Sequence, residues 1–159
     1  MKKKFYMLIG IPGSGKSTWI INQEIDWNNT VIISSDDRVE EYAKRLGKTY
    51  SDVWAKYVQI ATKIMFLDLD FHIEDNKDII WDQTNVSVKS RADKLSIISD
   101  DYEKIAVFFT TPSDEELSIR LANRPGKFIQ PEVIDRMKSQ LQLPTLEEGF
   151  NEIIIVENK

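Results

Sequence analysis

The stretch Gly10-Ile11-Pro12-Gly13-Ser14-Gly15-Lys16-Ser17-Thr18 decides the fold, because it matches the pattern GxxxxGK(S/T) at every fixed position. It follows the apolar run from Phe5 to Ile9, and the residues after it are compatible with a helix. A buried strand then delivers a glycine-rich turn to the start of a helix, where backbone N–H groups and the positive end of the helix converge on the phosphates of a nucleotide. We therefore predict a phosphate-binding loop.

The residue types in this loop suit phosphates and their metal ion. Lys16 is expected to reach the β- and γ-phosphates, and the Ser17 hydroxyl is expected to ligate Mg²⁺. The other predicted nucleotide contacts in the loop are Gly13, Ser14, Gly15 and Thr18. An ordinary glycine turn is the alternative, and the strand before the loop argues against it.

Composition limits the classes to which this protein can belong. Its 159 residues suit a single domain over 1–159 that buries its own core. Cysteine is absent and the first apolar stretch is too short for a signal peptide or a membrane span, so we expect a cytoplasmic protein without membrane contact. The net charge of −5 argues against wrapping long nucleic acid, so a nucleic-acid substrate is expected to be gripped near an end. Composition does not indicate an oligomeric state.

Five segments read as strands that are apolar through their length. We predict them at about 5–10, 30–34, 78–82, 105–109 and 153–156. Strands of this kind alternate here with helical segments, which is typical of a parallel sheet covered on both faces. The predicted fold class is therefore α/β, a doubly wound parallel sheet of about five strands.

Helix boundaries follow from apolar spacing and from capping residues. The helix after the loop is expected to reach about residue 25, and the apolar faces of the next two helices are expected to be Val39, Tyr42, Ala43 and Leu46, then Val53, Tyr57, Ile60, Ala61 and Ile64. Ser51 is the predicted cap of the longer of these two helices. Ser113 and Glu116 read as a capping box, and Pro131 suits the first position of a last helix.

Ligands of parallel sheets bind beyond the carboxyl ends of the strands, so polar residues there are candidates for chemistry. Asp36 and Asp37 follow the second strand directly. A carboxylate there suits a general base that deprotonates an attacking hydroxyl. We favour Asp36 as this base and expect Asp37 to cap the following helix. If both residues only cap the helix, the acceptor need not be an alcohol.

The third strand is followed by Asp82-Gln83-Thr84-Asn85, which puts further polar side chains at the same edge. Asp82 is compatible with three roles: holding Mg²⁺ through water, orienting an arginine, and contacting the acceptor. We predict that the substrate-binding set is Asp36, Arg38, Asp82, Thr84 and Asn85. A plain turn is the alternative.

Arg120 and Arg124 are four residues apart at the predicted end of a helix, just before Pro125-Gly126-Lys127. Like charges at this spacing repel, so an anion between them is an attractive explanation. An arginine on a mobile lid, here about 120–131, would stabilise charge on a transferring phosphoryl group. A solvated helix end is the alternative.

Together these landmarks resemble the polynucleotide 5′-hydroxyl kinase family, in its branch of small phage and bacterial P-loop kinases. The resemblance rests on GIPGSGKST at 10–18, SSDD at 34–37, DQTN at 82–85, RLANR at 120–124, PEVIDRM at 131–137 and LPTLEEGFNEI at 143–153. The phosphate loop is shared by many kinases, whereas the last segment is more particular to this family.

The resemblance implies an adenylate-kinase-like P-loop NTPase fold, with ATP and Mg²⁺ as donor. It implies that Lys16 and Ser17 serve the phosphates and the metal, that Asp36 is the base and that Arg124 is the lid arginine. In the phage enzymes an arginine three positions after the base binds the acceptor's phosphate, but here that position is Val39 and Arg38 lies one residue earlier. One residue turns a helical side chain by about 100°.

The sequence therefore predicts an ATP-dependent kinase that phosphorylates a hydroxyl, with the 5′-OH end of DNA or RNA as the favoured acceptor. The acidic surface and the departure at Val39 leave a nucleoside, a nucleotide or a hydroxymethylated base in phage DNA as alternative acceptors. A third alternative is a module that binds ATP without transferring phosphate. Trp54 and Tyr57 are candidates for stacking on the acceptor, with core packing as the alternative.

Overall fold

Five parallel strands form one sheet in the computed structural model, which describes residues 2–158. The strands are β1 (Lys3–Ile9), β2 (Thr30–Ile33), β3 (Asp78–Asp82), β4 (Tyr102–Phe109) and β5 (Glu152–Val156). The helices are α1 (Lys16–Ile21), α2 (Ser35–Arg45), α3 (Tyr50–Glu74), α4 (Val88–Leu95), α5 (Asp114–Ala122) and α6 (Pro131–Gln140), and a 3₁₀ turn spans Leu146–Glu148.

The strand order β2-β3-β1-β4-β5 puts β1 at the centre of the sheet. Its last residues pair with β3 on one side, where Leu8 is opposite Asp82, and with β4 on the other, where Ile9 is opposite Phe108. The connections run outward in opposite directions from β1, which opens a crevice at the carboxyl end of this strand. The phosphate loop leaves β1 at this crevice.

The sheet is buried on both faces because side chains of β1 alternate between two apolar clusters. Phe5, Met7 and Ile9 pack with Met65 and Leu69 of α3 and with Leu95 of α4. Leu8 belongs to a second cluster that contains Ile20 of α1 and, from β4, Ile105 and Val107. These two layers of helices confirm the predicted doubly wound α/β fold.

Several predicted details of the helices are wrong. The helix α1 ends at Ile21, about four residues early. The helix α3 is capped by Thr49, whose hydroxyl accepts from the Asp52 amide while the Asp52 carboxylate accepts from the Thr49 amide. Ser51 therefore lies inside the helix. Only half of the expected Ser113 capping box forms, because the Glu116 carboxylate pairs with Arg120 instead.

The predicted apolar faces of α2 and α3 are correct only in part. Val39 and Ala43 pack against Val53 and Ala61 in a buried cluster between the two helices. Leu46 and Ile60 are exposed, at 49% and 51% of their surface. Periodicity identified the helices, but it overestimated how much of each face is covered. Within residues 2–158 no helix, α3 included, is long and apolar enough to cross a membrane.

Candidate active site

The phosphate loop connects β1 to α1 through two glycines with left-handed backbone angles. Gly13 has a φ of 83° and Gly15 a φ of 101°, which only glycine adopts without strain. The backbone amides in the first turn of α1 have no partner within the helix. The loop therefore presents N–H groups to the crevice, as a phosphate site requires.

Lys16 folds back over this loop and is half-buried. Its Nζ donates to the carbonyl oxygens of Gly10 at 2.9 Å and Ile11 at 3.0 Å. Burial lowers the pKa of Lys16 to about 8, although the charge of Asp82 acts in the opposite direction. A partly desolvated ammonium whose hydrogen bonds within residues 2–158 go to neutral carbonyls is well suited to accept an anionic partner.

Asp36 lies in the first turn of α2, where the Ser34 hydroxyl caps the helix by accepting from the Asp37 amide at 3.2 Å. The Asp36 carboxylate accepts from the Tyr50 hydroxyl at 2.7 Å and from Lys127 Nζ at 3.0 Å. Burial acts to raise the pKa of Asp36, but the charge of Lys127 and these hydrogen bonds outweigh it, so the pKa lies below its usual range. Asp36 is therefore ionised at neutral pH.

Asp37 does not cap α2 as the sequence suggested, because Ser34 takes that role. Its carboxylate lines the same crevice as Asp36. Burial, followed by the negative charges of Asp82 and other neighbouring carboxylates, raises the pKa of Asp37 to about 6. Two neighbouring carboxylates thus have pKa values displaced in opposite directions.

The residues after β3 divide between the crevice and the interior. Asp82 and Thr84 line the crevice, and burial raises the pKa of Asp82 although Lys16 opposes the change. The Thr84 carbonyl oxygen accepts from the Gly10 amide at 2.9 Å, which ties this turn to the phosphate loop. Asn85 is buried with a φ of 48° and donates to the Leu8 carbonyl oxygen at 2.8 Å. It supports the end of β1 and does not line the crevice.

Arg38 also lies outside the crevice. Its guanidinium pairs with the Asp68 carboxylate of α3 and lies 3.9 Å from the Glu41 carboxylate. In this arrangement Arg38 joins α2 to α3. The predicted substrate-binding role of Arg38 has no support from its contacts.

The two arginines near the end of α5 have different surroundings. Arg120 pairs with the Glu116 carboxylate at 2.9 Å and donates to the Gly13 carbonyl and the Asn158 side chain, both at 3.0 Å. The helix ends at Ala122, so Arg124 lies beyond it and the expected helical spacing of the two charges does not exist. Arg124 lines the crevice, and its Nη1 is buried without a hydrogen-bond partner in the described part of the chain.

The segment 126–128 lies at the crevice and is hydrogen-bonded to the start of α3. The Ser51 amide donates to the Gly126 carbonyl at 3.1 Å, and the Phe128 amide donates to the Ser51 hydroxyl at 2.9 Å. Lys127 reaches both Asp36 and, at 3.4 Å, the Glu40 carboxylate, with only 8% of its side chain exposed. The segment therefore forms part of the crevice wall beside Asp36.

These elements enclose a cleft of about 1250 Å³. It brings together the loop residues 12–18, the carboxylates Asp36, Asp37 and Asp82, and the cations Arg120, Arg124 and Lys127. Trp54 and Phe128 add exposed aromatic rings to its wall, whereas Tyr57 stacks on Tyr42 with ring centroids 4.0 Å apart and does not line the cleft.

The chemistry of this cleft fits a nucleoside triphosphate. Lys16 has no hydrogen bond to a carboxylate, and Arg124 Nη1 lacks a partner among residues 2–158. An anion between them would satisfy both groups. The exposed Ser17 hydroxyl at the start of α1 is available for a metal ion. A phosphate cradle, cations and an ionised carboxylate in one cleft are the parts that phosphoryl transfer needs.

Three residues of the cleft were missed in the sequence. Tyr50 and Lys127 contact Asp36 from distant parts of the chain, and no local motif marks them. Asn158 lies after β5 and donates its amide to the carbonyl oxygens of Ser14 at 2.9 Å and Thr110 at 2.6 Å. Although no motif marks Lys127, it is a third cation within the predicted lid, three residues after Arg124, and this position was a usable signal.

Residues 5–144 match the model of a protein family described as AAA domain. The chain belongs to this AAA-domain family. The match covers the phosphate loop and every element from α1 to α6, so it includes the whole cleft except Val156 and Asn158.

Several solved structures resemble this AAA-domain chain. One chain of the Pnkp1/Rnl/Hen1 RNA repair complex is 25% identical with a TM-score of 0.69, over 89% of this chain and 44% of that chain. A fungal RNA kinase is 16% identical with a TM-score of 0.55, over 100% of this chain and 77% of that one. A sugar kinase from Janibacter sp. is 15% identical with a TM-score of 0.59, over 98% and 85%. The protein therefore has a P-loop kinase fold, and it spans less than half of the RNA repair chain.

Proposed function

We propose that this protein is an ATP-dependent phosphotransferase that transfers the γ-phosphate to a hydroxyl, with the 5′-OH end of DNA or RNA as acceptor. The observation that carries the proposal is that the ionised carboxylate of Asp36 shares one cleft with the phosphate loop and Lys16. A cradle for the donor and a base for the acceptor are the two parts that a kinase must bring together.

On the donor side, the loop amides and Lys16 would bind the phosphates of ATP, and Arg124 would meet the γ-phosphate. The positive charge of Arg124 acts, after burial, to lower the pKa of Lys16, and this proximity of two cations supports an anion between them. Mg²⁺, held at the Ser17 hydroxyl, would supply positive charge to the phosphate oxygens. Arg120 would contribute through the loop, because it donates to the Gly13 carbonyl.

On the acceptor side, Asp36 would take the proton of the attacking hydroxyl. The acceptor oxygen then bonds to the γ-phosphorus while the bond from that phosphorus to the bridging oxygen breaks, and ADP leaves. Tyr50 and Lys127 orient the carboxylate by two hydrogen bonds. Both donors favour the ionised form, so Asp36 is ready to accept the proton at neutral pH.

We propose that residues 120–131 act as the lid of a single kinase domain over 1–159. The contacts of Gly126 and Phe128 with Ser51 support this role, because they join the segment to the acceptor side of the cleft. Arg124 and Lys127 lie on the same segment, so its movement would deliver two cations at once. A lid that carries its cations stabilises the transferring group only when it is closed.

Two further observations favour a nucleic-acid end as the acceptor. The exposed rings of Trp54 and Phe128 on the cleft wall offer faces on which a base can stack. The 25% identity with a chain of an RNA repair complex extends over 89% of this protein.

A smaller acceptor is the second candidate, and the position of Arg38 favours it. This arginine pairs with Asp68, and neither it nor Arg45, the other arginine of α2, lines the cleft. The likeness in fold to a protein described as a sugar kinase also supports a small acceptor.

The test is transfer from γ-labelled ATP and Mg²⁺ to parallel acceptors: 5′-OH DNA, 5′-OH RNA, nucleosides, nucleoside monophosphates, sugars and water. The proposal expects label on oligonucleotide ends, lost in Asp36→Asn. Label that appears only on monophosphates or sugars would mean that the acceptor is a small molecule and not a nucleic-acid end. Release of free phosphate alone would contradict transfer altogether.

A further inference from the structure

The long helix α3 carries an apolar stripe that faces solvent. The stripe consists of Ile60, Ile64, Leu67 and Phe71, which recur at i, i+4, i+7 and i+11 and therefore share one face of the helix. Ile60, Leu67 and Phe71 are 51%, 68% and 64% exposed, and Ile64 is half-buried. We call these four residues the α3 stripe. A contiguous exposed apolar surface of this kind marks an interaction site more often than scattered single residues do.

The stripe is exposed because α3 is much longer than its neighbour α2. α3 has 25 residues and α2 has 11. Val53 and Ala61 pack against α2, and Met65 and Leu69 pack against the sheet. Ala61, Met65 and Leu69 lie to one side of the stripe, whereas Val53 is in line with it, seven residues before Ile60, where α2 covers the helix. The core is therefore complete without the stripe.

The charged residues that flank the stripe are ordered along the helix. Lys56 and Lys63 lie on one flank in the first two thirds of α3, and Asp70 and Glu74 lie on the same flank near its end. All four side chains are exposed. The flank is therefore positive at one end and negative at the other.

We infer that the α3 stripe is a self-association surface, on which a second copy of this chain packs its own α3 in the antiparallel direction about a two-fold axis. In a two-fold interface the same patch faces itself, so it must be self-complementary. Antiparallel packing about the centre of the stripe sets Ile60 opposite Phe71 and Ile64 opposite Leu67 of the partner copy.

The same register pairs the flanking charges with opposite signs. It brings Lys63 near Asp70 and Lys56 near Glu74 of the other copy, each pair twice by symmetry. In a parallel two-fold pair this flank would instead face the opposite flank of the other copy, so these four charges would not meet one another. The charge order along this flank is therefore self-complementary in the antiparallel direction, which supports a second copy of the chain as the partner.

The first experiment measures association of the protein by sedimentation velocity from about 1 to 500 µM. This concentration range suits the weak affinity expected of a small protein–protein interface. The matched variants are Ile60→Lys in the stripe and Ile119→Lys on α5. These isoleucines are both helical and are 51% and 52% exposed. The parent and Ile119→Lys are expected to dimerise alike, whereas Ile60→Lys weakens the dimer at least about tenfold.

The second experiment tests the register by exchanging charges at low salt. Lys63→Glu and Asp70→Lys are each expected to weaken the dimer about fivefold, because each sets like charges together twice. The double variant restores opposite charges and is expected to recover the affinity of the parent. Unchanged thermal unfolding of each variant confirms that the fold is intact.

Three results would overturn the inference. The first is a parent that stays monomeric across the range, including one that associates only with a different protein. The second is a dimer that Ile60→Lys and Ile119→Lys affect equally. The third is a dimer in which the double charge exchange gives no recovery over the single variants.

Discussion

Replacing Arg91 by Met removes the cation that joins the chain's last segment to the end of β3. The Arg91 side chain is fully buried, and its Nε and Nη2 donate to the two carboxylate oxygens of Glu148 at 2.8 and 3.3 Å. Its Nη1 donates to the carbonyl oxygens of Asn85 at 2.9 Å and Val86 at 3.2 Å. Breaking a buried pair in this way costs about 3–5 kcal/mol of unfolding free energy.

The assay is urea denaturation at neutral pH, with thermal unfolding in parallel. The expected loss corresponds to a fall in Tm of roughly 10 °C for a chain of this size. Arg45→Met is the matched control, because Arg45 pairs with Glu41 at 2.9 Å but has 75% of its side chain exposed. The control is expected to change stability by less than about 0.5 kcal/mol. Equal stability of the two variants would refute the reasoning.

Three further variants test the cleft. The first is Lys16→Met, compared with the parent in calorimetric measurements of ATP affinity from about pH 7 to 9.5. The affinity of the parent is expected to fall as the pH rises through the Lys16 pKa of about 8, because only the charged lysine attracts phosphate. Lys16→Met is expected to bind ATP weakly at every pH, and a parent affinity that does not change with pH would contradict this. Gly126→Ala should lose more stability than Gly47→Ala, because both have positive φ but only Gly126 would place a Cβ 2.9 Å from the Thr49 Cβ. Asn158→Ala should cost about 1–3 kcal/mol and weaken ATP binding, since its amide holds the phosphate loop; unchanged ATP affinity would exclude that role.

The fold was predictable from the sequence because its signals are local. A phosphate loop after an apolar strand fixes the strand–turn–helix unit, and apolar runs such as Ile79 to Trp81 mark buried parallel strands. The side chains at the carboxyl ends of strands followed from topology alone, which is why Asp36 and Asp82 were found.

The details that failed depend on contacts between distant residues. Ser51 looked like a cap, but its amide and hydroxyl bond to the segment around Gly126, and Thr49 caps the helix instead. Arg38 looked available for substrate, but its partner Asp68 is 30 residues away. Ile60 fits the helical period, but whether a neighbour covers it depends on the length of α2.

The central claim is that Asp36 is the base in phosphoryl transfer, and one comparison tests it most directly. Asp36→Asn and Asp37→Asn change adjacent carboxylates of the same cleft by the same substitution. The measurement is kcat for transfer from ATP to a 5′-OH oligonucleotide, with ATP affinity measured for each variant. We expect Asp36→Asn to lose about 10²–10⁴-fold in kcat with ATP affinity retained, and Asp37→Asn to lose far less. Full turnover in Asp36→Asn would contradict the account.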